Sequence, residues 1–141
     1  MNVTSGPGEE SAAYYEAEAL LIALLGDDPD MLESVIKAGG DVNTAFEDGQ
    51  TPLHILMDVA IDGMMQENLD TPDPETMKMI GLLLGNGAEL SRLNDAGETP
   101  LDILNVYAAG SKEGFERLKD IFRGLIPDID DRITYISGSS V

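Results

Sequence analysis

The residues with chemical capacity are one histidine and a large set of carboxylates. His54 stands alone, because the chain has no second histidine and no cysteine. An imidazole can serve as a general base near neutral pH. A nucleophile dyad or a zinc site needs further partners of these types, and none exists to complete one. The 27 Asp and Glu residues always offer acid–base pairs on paper, yet none falls in a recognisable motif. Asp128, Asp130 and Asp131 faintly resemble a calcium loop, but the glycine and the distal glutamate of that pattern are missing. Residues 81–88 (GLLLGNGA) are glycine-rich without the Lys-Ser/Thr of a phosphate-binding loop, and they read as a helix end. The expectation is therefore no enzyme, no cofactor and no metal.

Charge is the second clue. The formal net charge is −19 over 141 residues. It is uneven: residues 1–98 carry 20 Asp and Glu against 3 Lys and Arg, whereas residues 99–141 carry 7 against 5. Such a field repels nucleic acid and anionic membranes and steers basic proteins inward; the bland alternative is that it confers only solubility. With 43% hydrophobic residues the chain has enough apolar material for a core at this size. No apolar run approaches a membrane span, and residues 1–10 have neither the basic start nor the apolar stretch of a secretory signal. A cytoplasmic protein is expected, with monomer favoured, and the Asn2-Val3-Thr4 sequon is read as chance.

The elements that must position these residues are helices. Residues 1–10 read as a flexible lead, and residues 11–25 as a first helix. Asp28-Pro29 supplies an N-cap followed by proline at the first helical position, opening a helix to about residue 38. Thr51-Pro52 and Asp73-Pro74 repeat that signal, and so does Thr99-Pro100. From Leu53 to Met65, apolar residues recur in steps of three and four, which predicts an amphipathic helix to about residue 68. The segment LDTPD (69–73) breaks it. The next helix, with Met77, Ile80, Leu83 and Leu84 on one face, stops between Gly85 and Gly87. A further helix from Thr99 runs to about Ala108. A last one carries Phe115, Leu118, Ile121, Phe122 and Leu125, with Pro127 ending it. Residues 133–136 are left between a short strand and irregular chain. Met57 and Met77 are expected in the core, with Met64 and Met65 divided between core and surface.

A phrase occurs twice. Residues 48–56 read DGQTPLHIL and residues 96–104 read AGETPLDIL, at an offset of 48. Each follows a helix exit of one type, Gly39-Gly40-Asp41-Val42-Asn43 and Gly87-Ala88-Glu89-Leu90-Ser91. With Gly49 and Gly97 in the turns, this pattern resembles the ankyrin repeat family over roughly residues 11–124. The resemblance implies an all-α solenoid of three stacked helix pairs joined by hairpin-like turns. Its repeats would span about 11–43, 44–91 and 92–126, with 127–141 as a C-terminal tail and the outer repeats as caps. There are departures. The family period is about 33 residues, and the extra length falls between Ala60 and Glu75. Leu56-Met57 and Leu104-Asn105 stand where the family has Ala-Ala, and Asp102 stands where it has histidine. The resemblance also implies a structural role for His54, hydrogen-bonded within the turn framework.

Ankyrin repeats are protein-binding scaffolds, so the resemblance implies protein recognition. Its contact positions carry over to Glu47, Asp48, Gln50, Asp58 and Val59 in the middle repeat, and to Asp95, Ala96, Glu98, Val106 and Tyr107 in the third. Phe46 is expected either as an exposed aromatic contact beside the acids or as a packing residue under the turn. The leading expectation is a small acidic adaptor or inhibitor of a basic protein, in the manner of an immunity or antitoxin protein that occludes a toxic enzyme. The alternatives are a nucleic-acid mimic toward a DNA-binding protein and a structural or oligomerisation module. The last residues, Ser139-Ser140-Val141, also fit a free-carboxylate ligand pattern.

Overall fold

In a computed structural model the described residues are 16–137, and among them the chain is all-helical with no strand. The flexible lead, the glycosylation sequon and the C-terminal ligand pattern lie outside the described residues. We label the helices α1 (16–25), α2 (Pro29–Lys37), α3 (Pro52–Gln66), α4 (Pro74–Gly85), α5 (Ile103–Ala108), α6 (Lys112–Phe122) and α7 (Ile129–Arg132).

Helix starts follow local chemistry. The Asp28 side chain accepts the Met31 N–H at 3.1 Å and that of Asp73 accepts the Glu75 N–H at 3.4 Å, each with proline next in line. Ser111 caps α6 through Gly114 N–H at 2.9 Å. These contacts satisfy amide donors that have no partner inside the helix. Helix α5 differs from the expected single helix. Its first turn, Pro100–Asp102, is a 3₁₀ turn that runs into the α-helical residues.

Helix α3 packs on α4, α5 packs on α6, and the pairs are joined by α2 on α4 and α3 on α5. One apolar core runs through them, from Leu20 and Leu24 through Leu56, Met57, Ile80 and Leu83 to Phe115 and Phe122, all of them fully buried. Met57 and Met64 are buried, Met77 is half-buried against the core, and Met65 stays 46% exposed. Apolar spacing places the sulfurs, as the three-and-four steps predict.

The segment after α6 continues the core. Ile126, Ile129 and Ile133 are buried. Helix α7 is tied back to α6 by Asp130, which accepts from Lys119 Nζ at 2.7 Å and Arg123 Nη1 at 2.7 Å. Those two cations hold the Asp130 carboxyl down at about 2. The Lys119 side chain is itself buried, with its ammonium 5.2 Å from the centre of the Phe115 ring. Asp128 is paired with Arg132 at 3.1 Å, so two of the three carboxylates of the calcium-like spacing are engaged with cations of the chain. Residues 133–137 are irregular. The Asn105 amide clamps them, donating to the Thr134 carbonyl at 3.0 Å and accepting the Ile136 N–H at 2.9 Å. Asn105, one of the departures noted in the sequence, thus holds the segment that follows α7.

Candidate functional site

The two polar turns, 43–50 and 91–98, lie side by side. Each closes on itself: Phe46 N–H donates to the Gln50 carbonyl at 2.8 Å, and Asn94 N–H donates to the Glu98 carbonyl at 2.9 Å. They are joined to each other where Asp95 N–H donates to the Asp48 carbonyl at 2.9 Å. At the base of the turns, the Asn43 side chain donates to the Gly87 carbonyl at 3.1 Å and accepts the Glu89 N–H at 2.9 Å. Partners 44 to 47 residues apart in sequence are thereby held in register.

Gly49 makes this approach possible. Its φ is +73°, a left-handed conformation that disfavours side chains. A Cβ there would stand 2.9 Å from Asp95 N and 2.7 Å from Asp95 Oδ1. Only a residue without Cβ lets the 91–98 turn pass this close.

His54 is part of the same framework. Its Nδ1 accepts the Thr51 N–H at 3.1 Å, and the Thr51 side-chain oxygen accepts the His54 N–H in return. Its Nε2 lies 2.8 Å from the Glu98 carbonyl, a contact that requires the proton on Nε2. Both nitrogens are occupied and the ring is buried at 6% exposure. At the corresponding place after the 91–98 turn, Asp102 Oδ2 accepts the Thr99 N–H at 2.8 Å. A carboxylate can make that capping contact but cannot donate onward.

The acidic side chains of the turns face outward. Glu47, Asp48, Asp95 and Glu98 are exposed, and none takes part in an ion pair among the described residues. Gln50 is half-buried between the turns. Phe46 is also half-buried and packs against the core, which is the packing role of the two expected for it. Behind the turns an open groove of about 400 Å³ is lined by Gln50, His54, Ile55, Asp58, Val59, Glu98 and Ile103, among others. Asp58 stands on its far side and accepts from the Tyr107 hydroxyl at 2.7 Å. Burial first, and then this hydrogen bond to a carboxylate, pushes the Tyr107 phenol above its ordinary range.

The structure therefore brings Glu47, Asp48, Gln50, Asp95 and Glu98 together on one edge. Asp58 and Tyr107 form a separate pair across α3 and α5, and Phe46 lies beneath. No family model matches this chain, and no curated protein matches it either. Among the described residues no helix is long and apolar enough to cross a membrane. A second acidic place was missed in the sequence. Asp27 and Asp73 meet beside Thr76, whose hydroxyl donates to Asp27 Oδ1 at 3.1 Å. No periodic signal relates residues so far apart, so nothing in the sequence announced them.

Proposed function

We propose that this chain is a protein-binding module of the ankyrin-repeat type that docks a basic protein, as an adaptor or as an inhibitor occluding a cationic cleft. The observation that carries the reading is the acidic edge. Two turns tied at 2.9 Å present four exposed carboxylates from one hydrogen-bonded framework, and among the described residues none of the four is neutralised by an ion pair. Held in register, such charges lose little conformational entropy when a partner engages them, and their field accelerates encounter. The repeated turns, the repeated caps and the side-by-side packing of α3 and α5 support the stacked-repeat part of the reading. The occupation of both His54 nitrogens supports binding over catalysis.

The test is affinity capture from native lysate at low salt and at about 0.5 M, where screening shortens charge interactions to a few ångströms. A basic protein should be retained at low salt, released at high salt and missed by the Asp48→Lys/Asp95→Lys double variant. A captured partner indifferent to both salt and charge reversal would overturn the acidic-edge reading.

A further inference from the structure

Towards the C-terminal end of α3, away from the turns at its start, the loop after the helix (67–73) lines a second groove of about 510 Å³, which adjoins the first and shares Leu25 and Val59 with it. Its floor is apolar. Leu24 and Ala60 are buried at the bottom, Val59 is half-buried, and Leu25 and Leu69 stand at the mouth, 62% and 51% exposed. Its rim is acidic: Asp27, Glu67, Asp70 and Asp73 line it, and among the described residues no Lys or Arg does. None of these four joins an ion pair among the described residues.

Two of the carboxyls are held together. Thr76 Oγ1 donates to Asp27 Oδ1 at 3.1 Å and lies 3.4 Å from Asp73 Oδ2, so one hydroxyl sits against both carboxyls and brings them side by side. Asp27 sits in a left-handed backbone conformation, φ +57°, and Asp73 is fixed as the cap of α4. The hydrogen bond to Asp73 and then burial raise the Asp27 carboxyl above its ordinary range. Like charges fixed side by side cost free energy unless a proton or a cation comes between them.

We propose that this groove binds an arginine-bearing apolar segment of a partner protein, with the guanidinium on the Asp27–Asp73 pair and the flanking aliphatic side chains on Leu25, Val59 and Leu69. A planar, forked cation matches two adjacent carboxylates, which a compact ammonium does not. The exposed leucines at the mouth gain from being covered, and the methylene stem of arginine lies well on such a surface. The inference rests on the reading of the chain as a protein-binding module, but it uses a different surface from the acidic turn edge.

The experiment uses the isotope-labelled full chain and an acetylated tripeptide amide with arginine between two leucines. Amide shifts should concentrate at Asp27, Gly63, Leu69 and Thr76. Replacing the arginine by neutral citrulline should weaken binding at least about fivefold, as should Asp73→Asn. Leu69→Ser, at an exposed position, should weaken it about threefold without altering the rest of the spectrum. Absence of localised shifts, or equal binding of the citrulline peptide, overturns the proposal. Shifts confined to Asp48 and Asp95 overturn it as well while leaving the acidic edge in place. Groove binding that persists in the Asp48→Lys/Asp95→Lys variant upholds it even if the edge captures nothing.

Discussion

Replacing His54 by alanine removes three things at once. The buried Thr51 N–H loses its acceptor at 3.1 Å, which costs about 1.5 kcal/mol once the orphaned donor is included. The contact to the Glu98 carbonyl at 2.8 Å is lost, worth about 1 kcal/mol. The imidazole leaves a partly collapsed void in a site only 6% exposed, for about 1 kcal/mol more. The expected loss is about 3 to 4 kcal/mol, or roughly 10 °C in Tm for a chain of this length. His54→Asn retains an acceptor for Thr51 N–H, so it should cost about 2 kcal/mol. Asp102→Ala, at a half-buried residue with one capping contact, should cost about 1 kcal/mol. Urea unfolding of the three variants measures the series. If His54→Ala and Asp102→Ala differ by less than about 0.5 kcal/mol, the reasoning that His54 joins two turns is wrong.

Two further outcomes follow from the geometry. Gly49→Ala and Gly97→Ala both place a side chain at positive φ, at about 1 to 2 kcal/mol each. Only Gly49 faces Asp95, whereas nothing lies within 4 Å of a Cβ on Gly97; Gly49→Ala should therefore be the more destabilising by at least about 1 kcal/mol in thermal unfolding. Asp130 is held at about 2 in the folded chain against an ordinary 3.8, so its stabilising contribution is present above about 3.8 and lost as pH falls toward 2. Asp130→Asn should flatten the fall of Tm between those values, and an unchanged slope would show that the α6–α7 ion pairs contribute nothing in solution.

Helix starts were legible because capping is local chemistry. Asp28, Thr51, Asp73 and Thr99 each precede a proline, and a capping bond between residues two or three apart needs no knowledge of the rest of the chain. The buried faces of α3 and α4 were legible because helical periodicity is local too. What depends on distant pairing was not. The clamp of Asn105 on residues 134 and 136, the Lys119–Asp130 contact and the meeting of Asp27 with Asp73 join residues 11 to 46 apart, and no spacing rule selects them. The turn residues were visible as turns. Which of their side chains face solvent and which, like Phe46, pack inward was decided by how the neighbouring turn sits against them.

The bonds that join the two turns belong to both of them. The 43–54 segment supplies the 91–98 turn with a donor through His54 Nε2 and an acceptor through the Asp48 carbonyl. The helix caps do not depend on those bonds, because Thr51 is paired with His54 and the Thr99 N–H with Asp102 Oδ2, each within its own segment. Opening one turn therefore leaves the other's helix start capped and takes away only its lateral partners. Loosening of one turn makes loosening of the other easier, so their local openings are coupled. A ligand that spans both turns fastens them into a single unit, whereas one that grips a single turn leaves the joining bonds to hold the other.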